Sequence, residues 1–331
     1  MTSAIVLAKT ATLFLLIAAG WASRRRGYLS ADTTSILGRF VVDVCLPALI
    51  VVQMIATVSR DSWREDGASL LLAAVVFVIA LALGLGSAAI WSPRTSRSTY
   101  AFLVGIPNWV YLPLPIAQEL FGAAGVRSVL LCNVTSQLLL WSAGVTVLRG
   151  RISREALGKV LVNPGILAAV VGIAVALAVP EARTWRAASL AEGASLGPAA
   201  AKVLLDSLAL LGSLTIPLSL LLIGAQLGGM RARRGPPGRL LWTLVGTRLL
   251  IGPLVTLAAF QGITALGWAL PEVPRRVTLL IAAMPVAVTC GIITERYEGD
   301  TALGARAIFV STLLSLATLP AVMWAFEQLA W

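Results

Sequence analysis

Long apolar runs separated by short polar connections give the chain its outline. A bilayer core about 30 Å thick takes about 20 residues of helix to cross. By that measure the apolar runs predict ten spans. Spans 1 to 5 fall at residues 4–22, 34–57, 68–91, 99–121 and 125–149, and spans 6 to 10 at 160–180, 202–229, 239–269, 274–296 and 302–328. The connections are too short for a soluble module, so residues 1–331 are expected to form one all-α polytopic membrane domain. The first run, Met1 to Trp21, precedes Arg24, Arg25 and Arg26. A signal peptide carries its charges ahead of the apolar core, so this run is expected to be a first transmembrane helix.

Span 4 departs from a plain helix. Its stretch Ile106 to Gly122 holds Pro107, Pro113 and Pro115. Each proline lacks a backbone donor and clashes with the turn before it. A helix broken at membrane depth must satisfy its freed N–H and C=O groups from protein, water or a ligand, so it lines a cavity rather than facing lipid. Span 9 carries Pro285 at a comparable place.

The two halves echo one another. Leu46-Pro47-Ala48-Leu49-Ile50 in span 2 matches Ile216-Pro217-Leu218-Ser219-Leu220 in span 7, 170 residues on. Pro107 pairs with Pro285 at 178, and Gly125-Val126-Arg127 with Gly304-Ala305-Arg306 at 179. Two repeats are expected, 1–153 and 154–331. With five spans each, an odd number, the second must be inverted relative to the first. Such repeats place a solute site at mid-membrane, where the broken spans 4 and 9 would cross.

Composition agrees with a membrane protein: 58% hydrophobic residues, 12% charged, and a mean hydropathy of +0.89. The net charge of +11 sits in short clusters between apolar runs, where orientation signals belong, and not on an aqueous face for nucleic acid. With the N-terminus outside, the cytoplasmic loops hold 14 Arg and Lys residues, from Arg24 to Arg296, against 7 on the opposite side. Both termini are therefore expected to be extracytoplasmic. Histidine is absent, and Cys45, Cys132 and Cys290 lie far apart in apolar runs, so neither a metal site nor another cofactor is expected.

At each break the following half-helix presents unpaired N–H groups and a partial positive charge, a seat for an anion. The candidate binding residues are Asn108, Tyr111, Pro113 and Pro115 in span 4, and Pro285, Thr289, Cys290 and Gly291 in span 9. Asn108 either donates to the solute or satisfies carbonyls freed by the prolines, and Tyr111 and Trp109 either line the cavity or pack. Backbone N–H groups near Pro115 and Gly291 are expected to be the main donors. Asp43, inside span 2, is a candidate proton or cation site, with a helical pair to Arg39 as the alternative. Arg248 lies deep enough to be a counter-charge for an anion. Asn133, Ser136, Gln137, Gln53 and Gln226 are expected to bond between helices, with a role in binding as the lesser alternative. Arg127 and Arg306 are expected to snorkel to the interface.

Several of these stretches together resemble the auxin efflux carrier family. They are Gly38-Arg39-Phe40-Val41 leading to Leu46-Pro47-Ala48-Leu49, Pro107-Asn108 with Leu114-Pro115 and Phe121-Gly122, and Asn163-Pro164 opening span 6. Pro217-Leu218 with Ile223-Gly224, and Ala283-Met284-Pro285-Val286-Ala287-Val288, complete the set. The resemblance runs nearly the whole length and is to the bacterial branch, without the long loop of plant members. It implies ten helices as two inverted repeats with crossing broken helices, similar to bile acid and sodium–proton transporters. It further implies a scaffold of spans 1, 2, 6 and 7 carrying a homodimer interface, and a moving transport domain of spans 3–5 and 8–10. The implied place is the bacterial cytoplasmic membrane.

The leading expectation is a secondary transporter of a small organic anion, a carboxylate of the malonate, malate or auxin kind, working by elevator-type alternating access. Proton or sodium coupling is open. A sodium-coupled bile-acid-type symporter would need acidic residues beside the crossing, where only Glu119 and Glu295 approach. An intramembrane enzyme would need paired aspartates, a Ser–Lys or Ser–His set, or a zinc motif, and none is apparent. No ATP-binding motif is apparent either, so transport would draw on an ion gradient or the solute's own.

Overall fold

Two side-chain caps start helices where the sequence leaves the polar connections. Ser30 Oγ accepts the Thr33 N–H at 3.0 Å, and Asn163 Oδ1 accepts from Gly165 and Ile166 at 3.0 and 3.1 Å, with Pro164 in the first turn. Each satisfies N–H groups that a helix start leaves orphaned. The structure, a computed structural model, describes residues 3–151, 158–159, 162–185, 196–229 and 238–329. Arg154, Arg186, Arg231, Arg233 and Arg234, and the boundary expected between the repeats, lie outside the described residues.

The regular structure of the described residues is helical, in the order α1 Ser3–Arg25, α2 Ala31–Thr57, α3 Arg60–Trp91, α4 Arg97–Gly105, α5 Pro113–Arg149 and α6 Pro164–Ala178, with one further turn of helix at Ala182–Trp185. There follow α7 Leu196–Ser213, α8 Thr215–Gly229, α9 Gly238–Ala265, α10 Glu272–Ala282, α11 Thr289–Arg296 and α12 Thr301–Leu329. Six helical stretches among the described residues are long and apolar enough to cross a membrane.

Proline distorts the ladder where the sequence places it. Pro47 has no N–H for the Asp43 carbonyl, and α2 opens into a π turn at Val41–Cys45, in which the Leu46 N–H reaches Val41 O. Pro253 does the same in α9, with a π turn at Thr247–Ile251. Pro217 withholds the partner of the Ser213 carbonyl, and the stretch expected as one span 7 is interrupted at Leu214 between α7 and α8. A third π turn, Leu140–Gly144, lies in α5. That helix also bends at Gly122, whose φ of 60° and ψ of −145° separate the expected spans 4 and 5.

Helix association in lipid relies on close packing more than on the hydrophobic effect. Gly20 of α1 lies against the Leu221 carbonyl of α8, and Gly224 of α8 lies against the Ile17 carbonyl of α1. A β-carbon at either would collide with backbone. The second half of α2 packs on α6 and α7, while α3 packs on α4, α5 and α10, and α12 on α9, α11 and α4. Tyr100, Phe102, Leu103, Leu280 and Ile281 are buried around the two breaks.

Arg127, expected to reach toward the interface, finds its partners at the connection between α2 and α3. It donates to the Thr57 carbonyl at 2.6 Å and pairs with Glu65 at 2.7 Å and Asp66 at 3.0 Å, tying α5 to the end of α2 and the start of α3.

Candidate functional site

The breaks in spans 4 and 9 meet. Between α4 and α5, and between α10 and α11, the extended segments Ile106–Asn108 and Pro285–Ala287 lie antiparallel, with Pro107 opposite Val286. The Asn108 N–H donates to Pro285 O at 2.8 Å and the Ala287 N–H to Ile106 O at 3.1 Å. The Val286 N–H donates to Ser311 Oγ of α12 at 3.1 Å. These bonds occupy backbone groups that the prolines leave without helical partners, as burial in a membrane protein demands.

Arg248 closes the other side of the crossing. It is 1% exposed, and it sits in the π turn of α9. Its Nη1 donates to Val104 O at 2.8 Å and its Nη2 to Ala282 O. Those carbonyls end α4 and α10, the two half-helices whose C-termini point into the crossing. The guanidinium thus engages two C-terminal dipoles at once, and among the described residues no carboxylate pairs with it.

A cavity of about 250 Å³ opens beside the crossing, lined by Asn108, Tyr111 and Thr289 with Asn133, Gln137 and Asn163 among others. No lining residue is charged. Its polar groups are arranged by use of their acceptors. Asn108, 3% exposed, accepts the Tyr111 N–H on Oδ1 at 3.0 Å, capping the approach to α5. Gln137 Oε1 accepts from Trp141 Nε1 at 3.2 Å and Asn163 Nδ2 at 3.3 Å. Asn133 Oδ1 takes the Gln137 amide at 3.4 Å, and Asn163 Oδ1 is spent on its cap. The NH2 groups of Asn108 and Asn133 are left without a protein partner, and Trp109 Nε1 is buried and unpaired. The lining amide oxygens each already accept a bond, while the Asn108 and Asn133 NH2 groups remain as donors, an arrangement that suits an anion.

A second cavity of about 430 Å³ adjoins the first across Val42, Tyr111, Thr289 and Ile292. Arg39 and Asp43 line it, with Ser219 and Gln226. Asp43 lies on the π turn of α2, exposed to this cavity, and makes no ion pair with Arg39 within 4.0 Å. A third cavity of about 660 Å³ is lined by Gln53, Pro115, Glu119, Gly122 and Pro217, from the far half of α2 and the start of α8. The first two cavities thus lie along the N-terminal half of α2 and the third along its C-terminal half.

Of the expected residues, Asn108, Tyr111 and Thr289 come together at the first cavity, and Asp43 faces its neighbour. Pro115 lines the third cavity, while Pro113, Pro285 and Cys290 are buried behind the walls. The Cys290 and Gly291 N–H groups, expected to face a solute, donate to Ala287 O and Val288 O at 3.0 and 3.1 Å, because α11 opens with a tight turn. Asn133 and Gln137, expected first to bond between helices and only secondarily to bind, form one wall with Trp141, which the sequence did not single out. Their signal was spacing, for residues four apart share a helix face.

Comparison with known proteins identifies the setting of this crossing. A profile of the membrane transport protein family matches residues 5–159 and 150–323. The chain belongs to that family, the one its auxin efflux carrier motifs indicate. It is 25% identical over 325 residues to an uncharacterized transporter of Methanothermobacter thermautotrophicus, covering 93% of this chain and 94% of that one. It is 23% identical over 323 residues to an uncharacterized transporter of Methanocaldococcus jannaschii, covering 94% and 96%. The protein is a membrane transporter of this family.

Proposed function

We propose that this transporter is a secondary carrier of a small organic anion, a carboxylate held in the cavity beside the crossing. The observation that carries the reading is the polarity of that cavity: spare amide donors from Asn108 and Asn133, spent acceptors and no acidic lining residue. A carboxylate accepts several hydrogen bonds at once and a cation accepts none. Charge-assisted bonds are worth about 1.5 to 3 kcal/mol each, so two or three of them supply about 3 to 9 kcal/mol, centred on the range between millimolar and micromolar binding.

Alternating access by an elevator movement is the mechanism we favour. Cavities along both halves of α2 support it. So does the packing, with α1 against α8 and α2 against α6 and α7 on one side, and α3, α4, α5 and α10 gathered around the breaks on the other. In this account the first group is the static scaffold, the second moves with the solute, and the halves are inverted repeats crossing at Pro107 and Pro285. Asp43, facing the adjoining cavity, is the candidate for proton or cation coupling.

The test is a thermal-shift screen of purified protein against monocarboxylates, dicarboxylates, primary amines and neutral polyols, since a ligand of the folded state raises its melting temperature. Carboxylates are expected to raise it and amines to leave it unchanged. Stabilisation by amines with carboxylates silent would overturn the anion assignment.

A further inference from the structure

We infer that the moving unit swings about a fixed pivot at the connection between α2 and α3, and that Arg127 is the residue that pins it. This rests on the elevator reading above, with α1, α2 and α6 to α8 static, and adds the axis of the movement. The chain passes between the static and moving groups three times. Thr57 ends α2 and Arg60 starts α3. Three Cα steps of about 3.8 Å separate them, so the two helix ends stay within about 11 Å of one another in any state. Residues 150–163 join α5 to α6, and residues 230–237 join α8 to α9. Chains of those lengths reach about 50 and about 30 Å when extended. Counted along the ten spans, the short connection lies on one face of the membrane and the two long ones on the other.

Side-chain bonds gather at the short connection. Arg127 has only 11% of its side chain exposed. From α5 it donates to Thr57 O of static α2 at 2.6 Å, and it pairs with Glu65 at 2.7 Å and Asp66 at 3.0 Å in moving α3. One side chain thus holds the three helices that meet there. Beside the bend at Gly122, Gln53 Nε2 of α2 donates to Ala123 O of α5 at 3.2 Å. The static side is fixed separately, by Arg183 donating to Val58 O from the helical turn after α6. The link itself is stiffened by a reciprocal cap, in which Ser59 Oγ accepts the Ser62 N–H at 3.2 Å and Ser62 Oγ accepts the Ser59 N–H at 2.9 Å. Pulling Arg127 away would leave a helix-end carbonyl and charged groups without partners, which is costly out of water. The movement that keeps this cluster intact is a rotation about it. Displacement then grows toward the opposite face, where cavities of about 250 and 430 Å³ lie between α2 and Tyr111, Thr289 and Ile292 of the moving unit. The third cavity, bounded by α5, α7 and α8, gives α5 room to tilt beside the pin.

Distances between spin labels test this on the purified full chain in lipid nanodiscs, with Cys45, Cys132 and Cys290 replaced. Each pair joins a static helix to α3. Leu177→Cys with Arg64→Cys reports the face of the short connection, and Ile36→Cys with Ile90→Cys the opposite face; all four sites are exposed. Double electron–electron resonance is recorded without ligand and with malonate or phenylacetate. The pair at Ile36 and Ile90 is expected to show two populations, or a shift between conditions, of about 5 Å, one helical turn. The pair at Leu177 and Arg64 is expected to change by less than about half of that. Arg127→Gln is expected to broaden the distribution at Leu177 and Arg64 to match the other pair. Arg127→Lys should broaden it less, since lysine keeps the charge but not the fork that spans carbonyl and carboxylates. An arginine that only stabilised the fold would change melting temperature and leave both distributions alone.

Equal displacement at the two faces in the wild-type protein overturns the inference while leaving the elevator reading standing, as does an Arg127→Gln protein with wild-type distributions. If both pairs keep one unchanging distance in every condition and every variant, the elevator reading falls and this inference falls with it. Should Arg127→Gln fail to fold, the wild-type distances and Arg127→Lys decide the matter.

Discussion

Asn108 does two separable jobs at the crossing, and two substitutions pull them apart. Its Oδ1 accepts the Tyr111 N–H at 3.0 Å, holding the turn that leads into α5, while its NH2 is free toward the cavity. Asn108→Ala removes both. Losing a side-chain cap typically costs about 0.5 to 2 kcal/mol of stability. Losing one donor to a carboxylate costs about 1.5 to 3 kcal/mol of binding, roughly tenfold to a hundredfold in Kd. Asn108→Asp keeps the acceptor that holds Tyr111 but replaces the donor with a negative charge facing the solute. It is expected to melt closer to the wild type than the alanine variant does, and to lose carboxylate binding more completely. Melting temperatures in detergent without ligand, and titrations with a carboxylate identified by the screen, give the two readouts separately. Binding by Asn108→Asp equal to wild type would refute the claim that this amide donates to an anion. So would a silent Asn108→Ala.

Two further outcomes follow from packing and charge. Gly224→Ala and Gly20→Ala each place a methyl against a carbonyl oxygen of the partner helix, so each is expected to lower stability by about 1 to 3 kcal/mol. Gly86→Ala, with open space around it, should leave thermal unfolding in detergent almost unchanged. The 14 to 7 distribution of basic residues is the ground for expecting both termini outside. With Cys45, Cys132 and Cys290 replaced, a cysteine at Arg64 is expected to react with an impermeant maleimide from outside intact cells and one at Arg94 only after permeabilisation. The reverse pattern would invert the topology.

How much of this was legible in the chain depends on the kind of physics each feature obeys. The breaks were legible because proline acts locally: Pro107, Pro113 and Pro285 withhold donors whatever surrounds them, and Asn108 beside one of them is costly enough in a membrane to be noticed. The role of Arg248 was not. Sequence places a guanidinium at mid-span, but whether it faces a solute or two carbonyls depends on where Val104 and Ala282 lie, 144 and 34 residues away. The partners of Arg127 were hidden for the same reason, being the end of one helix and the start of another.

The π turns explain a subtler gap. Asp43, Trp141 and Arg248 each sit in one, at Val41–Cys45, Leu140–Gly144 and Thr247–Ile251. An inserted residue rotates the helix face downstream of it, so a pattern counted at 3.6 residues per turn assigns these side chains the wrong direction. Pro47 and Pro253 announce two of the three insertions, since each removes the donor four residues after a carbonyl in the turn. The turn holding Trp141 has no proline within it or just after it, and there the spacing of Asn133, Gln137 and Trp141 carried the signal instead. A polar stripe on a helix that should face only apolar neighbours has to be satisfied by something. In this chain the stripe bonds largely to itself, Trp141 to Gln137 and Gln137 to Asn133, and the Asn133 NH2 at its end is the donor left over.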